Sequence, residues 1–487
     1  MRSASEVSRW VMHWDEVAVF DINSASLGVD VFSLMTAAGE ALADEVEKAS
    51  DGGGVLFLCG PGNNGGDGFV AACSRSLSDI QTSILASHDS SKTEASSHAR
   101  GVAANELQIH VWPDSPKGDW TLIVDCLLGS GGAGLGTDLR SPIRDVSAWA
   151  RSTGLPILSC DIPTGLGGPD SFKPIRTVTF HSPKMGMSES GCGEIVVSDL
   201  PWPTEVRNCG VGDASRYPSV ESDARKGDRG RLLVVGGGPY HGAPILSGMA
   251  AARSGCDLVH VAMPANASSR SKWPASLIPE ELPDREFLTP GSIGALSDFI
   301  DSGRAPDAMV IGPGIGREGE SMEAVRSIIS LSVRKSIPLV IDADAISALP
   351  VGKWPDGLIG VATPHPGEAE RWLSGVAPPH ALADCTKEQS AIVITGHEDE
   401  LFGPEGRYCH ATGGHPRMAV SGTGDLLAGV IGGLLAQGMA PWPAARLGCA
   451  VLREAGSKAA QEKGPGLLAD DVPVHIAHTL SEWIGVR

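Results

Sequence analysis

The 487-residue sequence is poor in positive charge and has no pair of cysteines at metal-binding spacing. Its 38 Lys and Arg residues stand against 58 Asp and Glu residues, which gives a formal net charge of −20 at pH 7. Because nonspecific nucleic-acid binding depends on basic side chains that neutralise phosphates, this balance argues against a nucleic-acid partner. The ten cysteines are scattered and form no C-x-x-C motif, which favours reduced thiols in a cytosol over a disulfide framework.

Long apolar runs are absent as well. A membrane-spanning helix needs about 20 consecutive apolar residues, and no segment meets that requirement. Residues 1–20 carry Glu6, Arg9 and Asp15 among their apolar residues, which is not typical of a signal peptide. We therefore expect a cytoplasmic protein with no membrane partner. The chain is too long for one hydrophobic core, and we expect two domains, residues 1–215 and residues 222–487.

Both halves alternate short β-rich runs with helical stretches, which predicts α/β domains with parallel sheets covered on both faces. The strands expected in the first half are 55–59, 121–127, 156–160, 177–180 and 194–199, with helices around 34–49, 68–78 and 142–151. Those expected in the second half are 231–235, 258–262, 308–311, 338–341, 358–362 and 391–395. The polar, glycine-rich segments follow the expected strands, where α/β proteins bind their ligands.

The most unusual segment is Gly60-Pro-Gly-Asn-Asn-Gly-Gly-Asp-Gly68, between an apolar run and a helical stretch. A glycine-rich loop lets a ligand approach the backbone, and the helix start behind it offers free N–H groups to an anion. A tight β–α turn is the alternative, but it has no use for Asn63, Asn64 and Asp67. We therefore interpret the segment as an anion-binding loop.

Other polar residues are expected at neighbouring strand ends. Asn64, Asp125 and Thr164 could converge as oxygen donors, which suits a hard cation rather than zinc or copper. The glycine-rich segment 129–134 is a second candidate anion cradle, because successive backbone N–H groups can form a nest. Asp161 could move a proton on and off a ligand, with an Asx turn or a helix cap as the alternative.

These motifs, together with the strand at 177–180 and Pro183-Lys184, occur in an order that resembles the NAD(P)H-hydrate epimerase family. The resemblance implies a Rossmann-like, three-layer αβα domain that interconverts the R and S epimers of hydrated NADH and NADPH at nicotinamide carbon 6. It implies a reacting centre at Asp161 and a K⁺ ion on Asn64, Asp125 and Thr164, where the family often has Ser in place of this threonine. The dinucleotide-binding residues that it implies are Asn63, Asn64, Gly65, Gly66, Asp67, Gly129, Ser130, Gly131, Gly132, Ala133, Gly134, Leu135 and Asp161.

The strongest pattern in the second half is Ser421-Gly422-Thr423-Gly424-Asp425, followed by an apolar helix to about Gln437. The amides of residues 422–424 should form an anion hole at the positive end of the helix dipole. Asp425 should place a carboxylate beside the same anion. An acidic residue in the first turn is also favoured by the dipole alone, which is the alternative interpretation.

This motif resembles the ribokinase-like superfamily, in which such an Asp activates a hydroxyl for phosphoryl transfer. With segments 312–316, 342–345 and 363–368, the half resembles the NAD(P)H-hydrate dehydratase family, on a ribokinase-like α/β domain. The likeness implies that ADP or ATP with Mg²⁺ phosphorylates the carbon-6 hydroxyl of the S epimer, and that phosphate then leaves. Asp425 would be the base, and the residues implied to contact the hydrate are Ala243, Gly314, His365 and Asp425.

One departure concerns the nucleotide. Bacterial relatives usually carry Lys-Gly-x-x-Thr where this chain has Thr395-Gly-His-Glu-Asp399, so a positive charge is missing and the choice between ADP and ATP stays open. The nucleotide-binding residues implied are Thr395, Gly396, His397, Glu398, Asp399 and Gly424. We expect a homo-oligomeric repair enzyme with both activities. The alternative is a sugar or vitamin kinase fused to a dinucleotide-sensing or interaction domain, but this reading does not account for segment 363–368.

Overall fold

The computed structural model describes residues 11–131, 135–136, 138–303, 305–385 and 389–485, and divides into two compact units, Met1–Val206 and Arg207–Arg487. The strands of the first unit are β1 (Gly54–Cys59), β2 (Thr82–Ala86), β3 (Ile109–Val111), β4 (Trp120–Cys126), β5 (Ile157–Cys160), β6 (Arg176–Phe180) and β7 (Glu194–Ser198). Its helices are α1 (Val17–Ser26), α2 (Val31–Ser50), α3 (Asn63–Ala72), α4 (Glu94–Glu106), α5 (Ile143–Ser152) and α6 (Glu189–Cys192).

The seven strands of the first unit form one parallel sheet in the order β3-β2-β1-β4-β5-β6-β7. Strand β1 is buried along its whole length, as expected for a parallel strand covered on both faces. Its alternate residues enter different cores, with Val55 and Phe57 in one and Leu56 and Leu58 in the other. The period of two in the strand therefore assigns one core to each face of the sheet.

Helix α3 begins at Asn63, so the predicted helix start near residue 68 is wrong. Glycines inside the first turns of α3 allow close packing that a side chain would prevent. A Cβ atom on Gly65 would lie 1.9 Å from the Gly60 carbonyl oxygen, and one on Gly66 would lie 2.5 Å from the Met35 side chain. The segment predicted as a loop is thus largely helical, and its glycines allow α3 to pack closely against the end of β1 and against α2.

The second unit has nine strands, β8 (Arg231–Val235), β9 (Leu258–Pro264), β10 (Ile278–Leu282), β11 (Ala308–Ile311), β12 (Leu339–Ile341), β13 (Gly360–Ala362), β14 (Ser390–Ile394), β15 (Asp399–Phe402) and β16 (Tyr408–Ala411). Its helices are α7 (Ala243–Arg253), α8 (Ala265–Arg270), α9 (Ile293–Asp301), α10 (Gly319–Lys335), α11 (Pro366–Leu373), α12 (Pro378–Ala381), α13 (Thr423–Ala436), α14 (Pro441–Lys463) and α15 (Pro473–Gly485).

The sheet of the second unit has the order β10-β9-β8-β11-β12-β13-β14-β15-β16. The pairs from β10 to β14 are parallel, whereas β14, β15 and β16 pair antiparallel. The five strands β2, β3, β10, β15 and β16 were not predicted from the sequence. Strand β10 shows why, because its sequence Ile-Pro-Glu-Glu-Leu lacks an apolar alternation and it lies at the edge of the sheet.

The beginning of the second unit is anchored by a buried ion pair. Asp213 is fully buried, and its Oδ1 lies 2.6 Å from Nε of Arg446 on α14. Residues from Arg207 onward therefore pack within the second unit. The functional boundaries expected from the sequence, 1–215 and 222–487, stay a prediction.

Within the described ranges, no helix combines the length and the apolar character that a membrane crossing requires.

Candidate functional sites

Asp161 follows β5 in the first unit and has a backbone φ of +63°, a conformation that non-glycine residues rarely adopt. Its Oδ2 accepts hydrogen bonds from the backbone N and the Oγ of Ser130, both at 2.6 Å. Its Oδ1 lies 2.6 Å from Nζ of Lys184. Burial pushes the pKa of Asp161 upward, but the charge of Lys184 and the Ser130 hydrogen bonds outweigh it, so the pKa lies below its ordinary value. Asp161 is therefore a carboxylate at neutral pH.

Lys184 is almost completely buried, with 2% of its side chain exposed. Besides the ion pair, its Nζ donates to Thr179 Oγ1 at 2.8 Å and to the Phe180 carbonyl oxygen at 3.0 Å. Lys184 belongs to a motif quoted above, but no role was predicted for it. A lysine after a strand indicates no particular partner, so this contact could not be predicted from the sequence.

Asn64 lies in the first turn of α3, next to Gly129 and Asp161. A Cβ atom on Gly129 would lie 2.9 Å from Asp161 Oδ2 and 3.1 Å from Asn64 Cγ. Within the described part of the chain, both polar atoms of the buried Asn64 amide lack a hydrogen-bond partner. Because an unpaired buried amide costs about 1–3 kcal/mol, this amide indicates a ligand position.

Asp125 and Thr164 contact each other directly at the ends of β4 and β5. Thr164 donates from Oγ1 to Asp125 Oδ1 at 2.7 Å and from its backbone N to Oδ2 at 2.8 Å. Ser159 Oγ donates to the same carboxylate at 3.0 Å. Burial raises the pKa of Asp125 to about 6, although these hydrogen bonds act in the opposite direction. The structure thus joins two of the three predicted cation ligands, and places the third beside Asp161.

Two further carboxylates interact with Asp161. Asp21 on α1 has an exposed surface, yet desolvation by the protein packed around it, followed by the charge of Asp161, raises its pKa to about 6 against the opposing charge of Lys184. Asp67 on α3 is half-buried, and desolvation, followed by the charges of Asp161 and Asp21, raises its pKa well above the ordinary value. Asp67 was predicted from its motif as a ligand contact, whereas Asp21 was not predicted, because α1 itself was not.

The remaining residues predicted for the first site are spread around this centre. Asn63 Oδ1 accepts a hydrogen bond from Thr93 Oγ1 at 2.5 Å. The Leu135 side chain lies within 3.0 Å of the Cβ positions of Gly167 and Gly186. Three predicted residues lie outside the described residues: Gly132, Ala133 and Gly134.

The predicted helix start in the second unit is present. Helix α13 begins at Thr423, and its N-cap Gly422 has a φ of +99°. A Cβ atom on Gly424 would have no neighbour within 4 Å, so the fold leaves open space in front of this turn. Asp425, in the same turn, is half-buried, and desolvation raises its pKa to about 6. Across the described ranges, no side-chain or backbone donor reaches its carboxylate, which is therefore available to a ligand.

Helix α7 fixes the backbone of this turn. Ser247 Oγ donates to the Asp425 carbonyl oxygen at 2.7 Å, and a Cβ atom on Gly429 would lie 2.0 Å from the Ser247 carbonyl oxygen. Ala243, predicted to contact the hydrate, is the first residue of α7. Gly314, predicted for the same role, has a φ of +70°, and its Cβ position lies 1.9 Å from the Tyr240 carbonyl oxygen. Only glycine fits there, because the loops after β8 and β11 touch.

Asp342 at the end of β12 is a second carboxylate in this site. It is buried, and its Oδ1 accepts a hydrogen bond from Thr363 Oγ1 at 2.7 Å. Burial, followed by the charge of Asp425, raises the pKa of Asp342 to about 8. Two carboxyl groups whose pKa values differ in this way can serve as one base and one proton-bearing group. Asp342 belongs to the motif 342–345 quoted above, but no role was predicted for it.

His365 is the N-cap of α11. Its Nδ1 accepts a hydrogen bond from the Gly367 backbone N at 3.0 Å, while its own backbone N donates to Glu368 Oε2 at 3.1 Å. More than half of its side chain is exposed. His365, predicted to contact the hydrate, therefore also caps α11, a role that was not predicted from the sequence.

The predicted nucleotide-binding segment 395–399 joins β14 to β15. The Thr395 backbone N donates to the Pro364 carbonyl oxygen at 2.9 Å, which places this turn beside the segment that carries His365. The Gly396 backbone N donates to Asp399 Oδ1 at 3.0 Å. Asp399, the first residue of β15, thus serves as a structural acceptor for the turn. In the described part of the chain, no group of three or more His, Cys, Asp or Glu residues is arranged to hold a metal ion.

Known proteins match both units. A family model described as NAD(P)H-hydrate dehydratase matches residues 232–477, and one described as YjeF-related protein N-terminus matches residues 31–186. The bifunctional NAD(P)H-hydrate repair enzyme of Hyperthermus butylicus is 34% identical, over 96% of this chain and 92% of the relative. The enzyme of that name from Methanothermobacter thermautotrophicus is 31% identical, over 95% of this chain and 94% of the relative.

Among solved structures, the ADP/ATP-dependent NAD(P)H-hydrate dehydratase from Bacillus subtilis, co-crystallized with ATP/Mg²⁺, aligns with a TM-score of 0.45 and 23% identity, over 56% of this chain and 96% of that chain. The predicted α/β fold class is confirmed by the two sheets, and the predicted pair of activities is confirmed by the family models and the curated relatives. The chain belongs to the family of bifunctional NAD(P)H-hydrate repair enzymes, with an epimerase and a dehydratase in one polypeptide.

Proposed function

We propose that each unit performs its reaction through one ionised carboxylate at a strand-end site beside a helix start. The observation that carries the proposal is this shared arrangement, with Asp161 near the start of α3 and Asp425 in the first turn of α13. The first site equilibrates the R and S epimers of hydrated NADH and NADPH. The second site dehydrates the S epimer with ADP as the phosphoryl donor, and ATP is the alternative.

In the first reaction, Asp161 accepts and returns the proton of the carbon-6 hydroxyl. Epimerisation inverts this carbon. As the hydroxyl proton leaves, the C6–N1 bond breaks, carbon 6 becomes a carbonyl carbon and the bonding electrons move to N1; N1 then adds to the other face of the carbonyl and the proton returns to the oxygen. A base helps only if it stays ionised at the working pH. The ion pair with Lys184 and the two Ser130 hydrogen bonds support that state, because they hold the pKa of Asp161 low despite its burial.

The first site also fits a potassium ion. Asn64 has a buried amide without a partner, and Asp125 and Thr164 supply a carboxylate and a hydroxyl oxygen. Such oxygen donors suit a hard cation. When bound, K⁺ supplies positive charge near the dinucleotide phosphates. The N–H groups of the first turn of α3, from Asn63 to Gly65, offer further contacts to the same anion.

In the second reaction, Asp425 removes the proton of the carbon-6 hydroxyl as the hydroxyl oxygen bonds to the transferred phosphorus atom. The amides of residues 422–424 stabilise the negative charge on the transferred group. The bond between the transferred phosphorus atom and the bridging oxygen of the nucleotide breaks, and the nucleotide leaves one phosphate shorter. Phosphate then leaves carbon 6, pushed out by the N1 electron pair, and loss of a proton from carbon 5 to solvent forms the C5=C6 double bond and restores the dihydronicotinamide ring. Mg²⁺ enters with the nucleotide as part of the co-substrate. The nucleotide lies against the turn 395–399, which the Thr395 backbone bond places next to His365.

The test combines the purified full-length chain with a mixture of R and S hydrates and follows the recovery of nicotinamide absorbance. We expect complete recovery with ADP and Mg²⁺, because epimerisation feeds the R epimer into dehydration. Without nucleotide, the epimers should equilibrate and no absorbance should return. Recovery without nucleotide, or recovery that stops when the S epimer is consumed, would contradict the proposal. A homo-oligomeric state and a cytoplasmic location stay predictions.

A further inference from the structure

A single guanidinium group organises the turn 395–399 in the second unit. Arg453, on α14, has its Nε at 2.8 Å from Asp399 Oδ2 and its Nη2 at 2.7 Å from Asp399 Oδ1. The same side chain donates from Nη2 to the Gly396 carbonyl oxygen at 3.0 Å and from Nη1 to the His397 carbonyl oxygen at 2.8 Å. Its fifth contact, from Nη1 to the Gly413 carbonyl oxygen at 2.9 Å, ties the turn to the segment after β16.

These contacts use the planar fork of arginine. A guanidinium can bind a carboxylate with two parallel bonds and still donate to neighbouring carbonyl oxygens, whereas a lysine ammonium has only three donors and no fork. Asp399 is held from both sides, because it also accepts the Gly396 backbone N–H at 3.0 Å. The side chains of Arg453 and Asp399 are 11% and 8% exposed, so solvent screens this pair weakly.

We propose that Arg453 is the positioning residue of the nucleotide site. It holds the backbone of Gly396 and His397 in the shape that receives the nucleotide, and it does not touch the reacting atoms. Because its charge is paired with Asp399, Arg453 acts through the shape of the turn and does not supply a positive charge to the nucleotide. This inference rests on the proposed nucleotide-dependent function of the second unit.

The consequence is a selective loss of nucleotide affinity. Without Arg453, Asp399 would be a buried carboxylate without its cation, and the carbonyl oxygens of Gly396 and His397 would lose their donors. Because removing one partner of a buried charged pair typically costs several kcal/mol, the turn should rearrange. Asp425 and the α13 turn do not depend on Arg453, so the chemical step should be retained once the nucleotide is bound.

The experiment measures KM and kcat for ADP and for the S hydrate in the full-length chain carrying Arg453→Met or Arg453→Lys. For Arg453→Met we expect the KM for ADP to rise at least about 10-fold, with kcat at saturating ADP and the KM for the hydrate within about 2-fold. Arg453→Lys should recover part of the affinity because it restores the charge. Asp399→Asn, which keeps the size of the side chain, should raise the KM for ADP in the same way. It is the second test of the proposal if Arg453→Met does not fold.

Arg446→Met is the matched control, because Arg446 lies about two turns earlier on α14 and makes a buried pair with Asp213. It should lower the melting temperature and leave the KM for ADP unchanged. Wild-type KM for ADP in Arg453→Met and Asp399→Asn would overturn the inference. The inference would also be overturned if the KM values for ADP and for the hydrate rose equally and in proportion to the fall in melting temperature. That result would mean that Arg453 has a purely structural role. If the wild-type chain restores the hydrate without any nucleotide, the proposed function itself fails.

Discussion

Lys184 Nζ lies 2.6 Å from Asp161 Oδ1, and only 2% and 13% of these two side chains are exposed. Their pairing explains how a carboxylate can be buried at the end of a strand and still be ionised. Burial alone would raise the pKa of Asp161, as it does for Asp125 in the same sheet, whose pKa rises to about 6. The two carboxyl groups differ in their partners: Asp161 is paired with the cation of Lys184, whereas the pKa of Asp125 is lowered only by hydrogen bonds from neutral groups.

Replacing Lys184 with Met should therefore raise the pKa of Asp161 and remove much of the epimerase activity. We expect a loss on the order of 10²-fold or more at pH 7, the lower range for general-base catalysis. The pH at half-maximal epimerisation should shift upward, because the carboxyl group must now lose its proton without a neighbouring cation. Epimerisation is measured from pure R hydrate without nucleotide.

Two controls accompany this variant. Dehydration of pure S hydrate with nucleotide should stay near the wild-type rate, and Lys184→Arg should retain more epimerase activity than Lys184→Met. An uncompensated buried charge also destabilises a fold by about 3–5 kcal/mol, so the melting temperature must be recorded. A folded Lys184→Met variant with wild-type epimerisation and an unchanged pH profile would contradict the assigned role.

Potassium dependence should be confined to the epimerase. Asp125→Ala removes the carboxylate that accepts both Thr164 bonds, so we expect it to weaken epimerisation strongly and to abolish any difference between K⁺ and Na⁺. Ser159→Ala deletes only one hydrogen bond to this carboxylate and serves as the milder control. A wild-type epimerase with equal rates in sodium and potassium salts would argue against the ion site.

The pH profile of dehydration should have two limbs. Asp425 must be ionised to act as a base, and its pKa of about 6 means that the rate falls as the pH drops through 6. Asp342 has a pKa of about 8, so it keeps its proton at neutral pH and loses it above 8, where a second negative charge would face the phosphoryl group. We expect Asp425→Asn to reduce the rate by about 10²–10⁴-fold at pH 7, where Asp425 is ionised, and to remove the limb near pH 6. Hydrate binding, measured separately, should stay within a few-fold.

Asp342→Asn separates the two limbs. The amide cannot ionise, so the variant should stay active above pH 8, whereas the limb near pH 6 should remain. An Asp425→Asn variant that dehydrates at the wild-type rate would mean that Asp425 only stabilises the start of α13. A wild-type profile that is flat from pH 5 to pH 9 would contradict the assignment of both groups.

The sequence predicted what depends on local pattern and missed what depends on distant contacts. Strands β1, β4, β8 and β11 were found because each contains a run of at least three buried apolar residues. Strand β3 was missed because its three residues are only half-buried and present no clear pattern. The ligand residues next to strand ends could be proposed for the same local reason.

The ion pairs that support these sites could not be predicted from local patterns. Lys184 meets Asp161 across two strand ends, and Arg453 reaches Asp399 from a helix 54 residues further along the chain. No local rule connects such residues, because either partner alone is an ordinary surface-type side chain. The early start of α3 and the packing role of its glycines were missed for a related reason, since the close packing against Gly60 and Met35 becomes visible only in three dimensions.

Two glycines on α13 should respond in opposite ways to alanine. A Cβ atom on Gly424 meets no described atom within 4 Å, whereas one on Gly429 would lie 2.0 Å from the Ser247 carbonyl oxygen of α7. Gly424→Ala should therefore leave the fold intact, or stabilise it by up to about 1 kcal/mol, because alanine is the better helix former. Its methyl group would occupy the space proposed for the phosphoryl group, and we expect dehydration to fall at least about 10-fold while the epimerase is unaffected.

Gly429→Ala should destabilise the second unit through the packing of α13 and not through the ligand site. The added methyl group forces α13 away from α7, so the free energy of unfolding of the second unit should fall by about 1–3 kcal/mol or more. Thermal unfolding and the rate of S-hydrate consumption, measured on both variants, test the pair. If Gly424→Ala is fully active, the open space in front of the α13 turn does not receive the transferred group. If it is instead less stable than Gly429→Ala, the packing of α13 against α7 described above is wrong. Loss of dehydration in Gly424→Ala at unchanged stability is the result that separates a ligand-facing glycine from a packing glycine on the same helix.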